Sequence, residues 1–145
     1  LLSPLKSINF GYCLLTKVVG IHDAPETLVD LQLTKNQITA GFPSEILSLT
    51  NLQSLYLNFN DMEGSLPREI GSLKLLKDLY LFSNKMTGTL PSEIGSLDKM
   101  EFFTLGDNNF HGSIPQEVNN MLNLKIFSLH ASEKGVGKLT GKLPS

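Results

Sequence analysis

The residues of this chain best suited to chemistry are aromatic and acidic side chains that recur at one spacing. Tyr56 and Tyr80 lie 24 positions apart, and Asp30 and Asp78 lie at twice that interval. Rings and carboxylates at fixed intervals suit the binding of a partner, because exposed aromatic side chains are common anchors of interfaces. The other candidates at related positions are Phe59, Phe82, Phe102 and Lys77.

Catalytic and metal-binding patterns are missing from the sequence. The three histidines fall at different positions of different segments, and the cluster around His22 matches no strong ligand spacing. No serine, cysteine or aspartate lies in a nucleophile signature. A single cysteine, Cys13, excludes an internal disulfide. We therefore expect no enzyme activity, cofactor or metal, and we interpret Cys13 as a buried structural residue.

The overall charge gives no indication of a surface that binds nucleic acid or an anionic membrane. The formal net charge is −2, and 18% of the residues are charged. Binding to either polyanion is typical of a chain with a dense basic patch. The sequence also lacks a run of about 18 apolar residues, the length needed to span a bilayer. We therefore expect neither a nucleic-acid partner nor a membrane span in this segment.

A strict 24-residue period positions the candidate residues. Four consecutive segments share the pattern L-x-x-L-x-L-x-x-N-x-φ-x-G-x-φ-P, where φ is apolar, with few departures: 28–51, 52–75, 76–99 and 100–123. A period of this length is typical of a solenoid. Upstream, 5–27 fits as a shorter coil, and downstream 124–145 fits as a coil that resumes at Leu139 and Gly141 after five extra residues. The prediction is one solenoid over 1–145.

Elementary geometry predicts how each coil is built. The L-x-L core is a short strand whose alternate side chains face opposite ways, and strands of successive coils stack about 4.8 Å apart in a parallel sheet. The stacked leucines then form a continuous core that no single coil could bury. The proline that follows fixes the outer arc before a short helical turn. Strands are predicted to centre on 31–33, 55–57, 79–81, 103–105 and 127–129.

An asparagine column and three glycines complete the scaffold. An amide side chain carries two donor hydrogens and an acceptor, so it can satisfy backbone groups that a turn leaves unpaired. We predict this structural role for Asn36, Asn60, Asn84 and Asn108. We further expect Gly64, Gly88 and Gly112 to supply backbone conformations that other residues disfavour.

The predicted binding surface consists of strand positions whose side chains do not contribute to the core. They turn outward on the concave side, and in adjacent coils they carry five aromatic residues: Tyr56, Phe59, Tyr80, Phe82 and Phe102. Asp30, Asp78 and Lys77 form the predicted polar rim. Alternatively, the rings pack across strands and only cover the sheet. The interruption from His130 to Lys138 is a second candidate contact, because insertions in repeats tend to lie at a binding face or an edge.

The repeats resemble the leucine-rich repeat in its plant-type, 24-residue form. The resemblance rests on LVDLQLTKNQITAGFP, LQSLYLNFNDMEGSLP, LKDLYLFSNKMTGTLP and MEFFTLGDNNFHGSIP. It implies an α/β solenoid of about six coils, with a parallel sheet on the concave face and an irregular or short helical convex arc. It also implies a non-catalytic interaction module that recognises a protein, peptide or glycan on the concave face, as a receptor-like ectodomain fragment or a secreted inhibitor.

Two readings of the function stay open. The aromatic cluster favours a recognition module, for which the resemblance implies an extracellular or membrane-attached location through flanking sequence. The absence of an N-x-S/T sequon, the uncapped ends and the interrupted sixth coil favour an architectural subunit of an intracellular or organellar assembly. We expect this chain to be a piece of a longer protein, since terminal coils of solenoids normally carry caps. Alternatively, a partner covers one of the uncapped ends.

Overall fold

The described part of the chain winds into six stacked coils. The computed structural model describes residues 4–24, 26–129 and 138–140. Eight strands occur in these ranges: β1 Ser7–Asn9, β2 Asp30–Gln32, β3 Ser54–Tyr56, β4 Asp78–Tyr80, β5 Phe102–Thr104, β6 His111–Ser113, β7 Ile126–Ser128 and β8 Lys138–Thr140. A parallel sheet joins β1, β2, β3, β4, β5 and β7 in that order, one strand from each coil. The predicted solenoid is confirmed.

The strands centre on the predicted segments, and each begins one residue before its segment. The amide of Asp30 already donates to the carbonyl of Lys6 at 3.0 Å, and the amide of Ser54 donates to Val29 at 2.9 Å. The consensus leucines identify the side chains that face the core. They do not identify where backbone pairing with the neighbouring coil begins, so the pattern alone does not set the strand boundaries.

The core is a column of leucines that runs through the stack. Leu31, Leu55, Leu79 and Phe103 are in register at the centres of β2 to β5, and each is fully buried. At 24-residue intervals, the remaining consensus positions fill the space between the sheet and the outer arc, for example Ile46, Ile70 and Ile94. Each coil therefore buries its apolar residues against its neighbours, as expected for a repeat array.

The outer arc is a stack of short 3-10 turns. They span Ile21–Asp23, Ser44–Ser48, Arg68–Ser72, Ser92–Ser96 and Gln116–Asn120. A proline precedes each of the last four, and its restricted φ prepares the chain for the turn. Gly71 lies so close to the next turn that an added Cβ would meet the Glu93 carbonyl oxygen at 2.6 Å, and Gly95 is equally close to Glu117. The repeat pattern alone does not reveal this contact.

The two outermost coils depart from the predictions. Cys13 is exposed rather than buried, because no coil covers it within the described residues; its Sγ lies 3.4 Å from the Gly11 carbonyl oxygen. In the last coil β8 pairs with β6, and Leu139 lies opposite Gly112. The repeat consensus instead predicts that Gly141 lies opposite that glycine. The predicted contact segment His130 to Lys138 lies outside the described residues, apart from the backbone of Lys138.

Candidate binding surface on the concave face

Two rows of side chains line the concave face, because the middle residue of each strand turns into the core and its two neighbours turn away. In the first row Asp30, Ser54 and Asp78 occupy β2, β3 and β4, and Phe102 continues the row on β5. The second row runs in the same order: Gln32, Tyr56, Tyr80 and Thr104. All eight side chains are half-buried, so each packs against its neighbours and still exposes part of its surface to solvent.

Four of the five predicted aromatic residues meet in one cluster, which we call the aromatic ladder: Tyr56, Tyr80, Phe82 and Phe59. The rings of Tyr56 and Tyr80 stack with centroids 4.9 Å apart and 11° between their planes. Phe82 meets Tyr80 edge to face at 6.5 Å and Phe59 edge to face at 5.0 Å. Such pairs hold each other in place, so the ladder is a rigid apolar surface.

Phe59 reaches the ladder from an unusual backbone position. Its φ is 56°, in the left-handed region, and its side chain is 43% exposed. Lys35 and Tyr12 occupy the same repeat position in the two preceding coils and also have positive φ. The Nζ of Lys35 lies 5.4 Å from the ring centroid of Phe59 and 4.9 Å from that of Tyr12. Sequence reasoning missed this extension, although the shared repeat position could have revealed it.

Phe102 and Lys77 do not join the aromatic ladder. Among the described residues, the contact of the Phe102 ring is with Lys125, whose Nζ is 5.8 Å from its centroid. Lys125 also forms an ion pair with Glu101 at 2.5 Å. A hydrogen bond from Lys125, its charge and that of Lys77 lower the pKa of Glu101. Phe102 and Lys77 therefore belong to a separate, mixed-charge strip.

The acidic residues lie directly beside the tyrosines. The Ser54 hydroxyl donates to Asp78 Oδ2 at 2.6 Å, whereas Asp30 Oδ1 is buried without a hydrogen-bond partner in the described structure. Burial, and then repulsion by Asp78, raises the pKa of Asp30. Burial, and then the same carboxylates, raises the pKa of Tyr56, and burial with Asp78 raises that of Tyr80. The surface between β2 and β4 therefore combines acidic side chains with apolar aromatic rings.

The asparagine column connects neighbouring coils behind this surface. Asn84 Nδ2 donates to the carbonyls of Leu81 at 2.9 Å and Leu57 at 3.0 Å, and its Oδ1 accepts from the Met62 amide at 3.0 Å. Equivalent bonds to the preceding coil occur at Asn36, Asn60 and Asn108. Each amide uses both its donor and acceptor groups, so the column stabilises the turn of one coil against the next.

Asn58 lies at the repeat position of Thr34 and Phe82, which are half-buried, but the structure buries it to 7% exposure. Its Oδ1 accepts a hydrogen bond from the Thr34 hydroxyl at 3.1 Å. The residue therefore supports the bend beneath the aromatic ladder and is unavailable to a partner.

Two kinds of feature are absent from the described ranges. No group of three or more histidine, cysteine, aspartate or glutamate side chains is arranged there to hold a metal ion. Over the same residues, every helix is too short and too polar to cross a membrane.

Comparison with known families identifies the repeat. The family model described as Leucine Rich Repeat matches residues 51–73 and 75–97, the two coils that carry most of the aromatic ladder. Solved structures of plant leucine-rich repeat ectodomains share the same coils and parallel sheet. This chain is a plant-type leucine-rich repeat protein. A search of curated proteins finds no match to this leucine-rich repeat chain.

Three solved Arabidopsis structures resemble this leucine-rich repeat protein closely. The receptor kinase HAESA, in complex with the peptide hormone IDA and the co-receptor SERK1, is 30% identical over 88% of this chain and 22% of its own, with a TM-score of 0.81. The SOBIR1 ectodomain is 28% identical over 94% of this chain and 73% of its own, with a TM-score of 0.80. The GASSHO1/SCHENGEN3 ectodomain, in complex with CASPARIAN STRIP INTEGRITY FACTOR 2, is 33% identical over 82% of this chain, with a TM-score of 0.75. This chain spans only 14% of the GASSHO1/SCHENGEN3 chain.

Proposed function

We propose that this chain is a non-catalytic recognition module that binds an extended peptide or protein segment across the aromatic ladder. The observation that carries the proposal is the stacked pair Tyr56 and Tyr80, extended by Phe82 and Phe59 on the concave face. Rigid, half-exposed aromatic rings lose little conformational entropy on binding and supply much of the contact energy of interfaces. The leucine core does not require any of these side chains to be aromatic.

The similarity to plant receptor ectodomains supports the proposal and its setting. HAESA was solved with a peptide hormone and a co-receptor, and the plant peptide hormone receptor RGFR1 was solved with RGF2. By analogy, this module belongs to an extracellular, receptor-like protein, and its partner is a peptide or protein. Shared fold alone does not assign a ligand, so the argument depends on the chemistry of the aromatic ladder.

Selection of binding peptides tests the proposal while the natural partner is unidentified. The folded chain is used to select from a displayed library of random dodecapeptides. Each selected peptide is then measured by calorimetry against the wild-type chain and against Tyr80→Ala/Phe82→Ala. Truncation of two central anchors should reduce affinity at least about thirtyfold, the effect of losing roughly 2 kcal/mol.

A convex-arc variant provides the matched control. Glu69→Ala/Glu93→Ala removes two exposed side chains of the outer arc and should bind the selected peptides as the wild type does. Circular dichroism and thermal unfolding verify that both double variants fold. Peptides that bind the folded Tyr80→Ala/Phe82→Ala variant with unchanged affinity would show that the binding surface lies elsewhere.

An architectural subunit is the second candidate, favoured by the apolar surface of the first coil. Phe10, Leu14 and Val19 are exposed there, with Leu14 at 68%. In a permanent assembly, a neighbouring subunit would cover this surface. Replacing Leu14 and Val19 by serine should then disrupt a stoichiometric native complex, whereas Tyr80→Ala/Phe82→Ala should leave it intact. The opposite result would favour the recognition module.

A further inference from the structure

Tyr56 follows Ser54 on β3, and two acidic residues flank that serine. The Tyr56 and Tyr80 centroids are 4.9 Å apart, which is close to the spacing of adjacent strands. The two nearly parallel rings therefore stand side by side above β3 and β4. Tyr80 covers one face of Tyr56, and the other face is turned toward β2, where Gln32 is its direct neighbour in the same row. That strand contributes Asp30, in the row next to the ring.

Two carboxylates in this place have no cation. Asp30 and Asp78 flank Ser54 on neighbouring strands, and within the described residues neither forms an ion pair. One oxygen of Asp30 is buried with no hydrogen-bond partner. Leaving a buried acceptor unpaired is costly, and two like charges near each other repel. A bound group with a positive charge and several N–H donors would relieve the repulsion between the two carboxylates.

We propose that the concave face binds a peptide through one arginine side chain, which lies over Ser54, donates hydrogen bonds to Asp30 and Asp78 on either side, and packs against Tyr56. This inference rests on the proposed function and specifies its partner. A guanidinium is planar, stacks on aromatic rings and donates to carboxylates in a fixed fork. An ammonium has no planar face, so lysine fits the site less well. The rest of the peptide crosses Tyr80 and Phe82.

The same geometry separates arginine from a neutral sugar. A sugar ring could also stack on Tyr56, but its hydroxyl groups would leave the negative charge of Asp30 and Asp78 uncompensated. Isosteric removal of that charge discriminates between the two ligands. Asp30→Asn/Asp78→Asn should weaken an arginine peptide strongly and should leave a neutral oligosaccharide such as cellohexaose largely unaffected.

The first measurement uses a small probe and does not depend on the peptide selection. N-acetyl-arginine amide is titrated into the isotope-labelled chain at concentrations on the order of millimolar, because a single side chain binds weakly. Amide signals of Asp30, Gln32 and Tyr56 should shift in a saturable way. N-acetyl-citrulline amide has the same shape without the charge and should produce no saturable shift. Equal responses to both compounds, or shifts only at distant residues, would overturn the arginine site.

The second measurement uses the peptides selected on the folded chain. Those that require Tyr80 and Phe82 should contain a fixed arginine, and its replacement by citrulline should weaken binding about 10- to 100-fold, as expected for hydrogen bonds to charged groups. Asp30→Asn/Asp78→Asn should cause a loss of similar size. Asp98→Asn/Glu93→Gln removes two acidic charges from other exposed positions and should cause little loss.

The two proposals fail in different ways. Peptides that depend on Tyr80 and Phe82 but show no arginine, or that tolerate Asp30→Asn/Asp78→Asn, would overturn the arginine site and keep the recognition module. Cellohexaose that binds Tyr56 in competition with the arginine probe, with equal affinity for wild type and the asparagine variant, would assign the site to a glycan. Peptides indifferent to Tyr80→Ala/Phe82→Ala would overturn the concave binding surface itself.

Discussion

The side chain of Asn84 accepts a hydrogen bond from the backbone amide of Met62, one coil earlier, at 3.0 Å. The same side chain donates to the carbonyls of Leu81 and Leu57. One buried amide thus satisfies three backbone groups from two coils. This arrangement makes the stability of each coil dependent on its neighbour, which is the source of cooperativity in repeat proteins.

Asn84→Ala should therefore lower the free energy of unfolding by about 1–3 kcal/mol, because buried backbone groups would lose their partner. Glu93→Ala, on the exposed outer arc, should change it by less than about 0.5 kcal/mol. Urea denaturation followed by circular dichroism measures both. Equal losses in the two variants would contradict the division between an internal scaffold column and a solvated surface.

Gly95→Ala should destabilise the protein by about 1–3 kcal/mol, since its new methyl group would press on the backbone of Glu117 in the next turn. Gly41→Ala is the matched control. A methyl group there would meet its nearest atom, the Glu63 carbonyl oxygen, at 3.5 Å, an ordinary contact. Thermal unfolding should separate the two variants clearly. A stable Gly95→Ala variant would show that the outer arcs can separate at little cost.

The pKa of Asp30 predicts a pH-dependent effect on stability. Burial and the charge of Asp78 raise this pKa in the folded state, so folding disfavours the ionised carboxylate. The stabilising contribution of protonated Asp30 is complete below the unfolded pKa and is lost as the pH rises through the folded pKa. Asp30→Asn should therefore be more stable than wild type at neutral pH, and the difference should disappear in acid.

Solvent screening keeps this gain below about 1 kcal/mol, because the carboxyl group is only partly buried. Asp98→Asn, at an exposed site where the carboxylate lies 3.5 Å from Lys99, controls for the change in net charge. Denaturation at a series of pH values would contradict the assignment if Asp30→Asn were less stable than wild type at neutral pH.

The stacked tyrosines should be energetically coupled. In a double-mutant cycle, Tyr56→Leu and Tyr80→Leu should show an interaction free energy of about 0.5–1.5 kcal/mol, because the geometry of an aromatic pair adds to the area that it buries. Tyr56→Leu paired with Phe110→Leu provides the control. Phe110 is buried in the core of another coil, so that cycle should be additive. Additivity in both cycles would mean that the two rings only lie close together.

The fold was predictable because its determinants are local and repeat with a fixed period. Leucine positions predicted the number of coils and the face that each side chain would take. The aromatic ladder was predictable only in part, since contact between rings depends on where the backbone directs them. Phe59 joins the aromatic ladder because its own backbone lies in the left-handed region. The ring of Phe102 instead contacts Lys125. Burial of Asn58 and exposure of Cys13 likewise depend on the neighbouring coil, which no single repeat specifies.

Gly71 and Gly95 also have a consequence for the curvature of the solenoid. They let the outer arcs of the coils from Arg68 to Asn120 approach closely, while strand pairing fixes the separation on the concave side. The equivalent position one coil earlier is Leu47, and there the outer arcs Ser44–Ser48 and Arg68–Ser72 pack against each other less closely. We therefore expect the bend per coil to be smaller beneath Tyr80 than beside Asp30. An extended ligand would then cross a flatter floor at the tyrosines and a more strongly curved one where the charge begins.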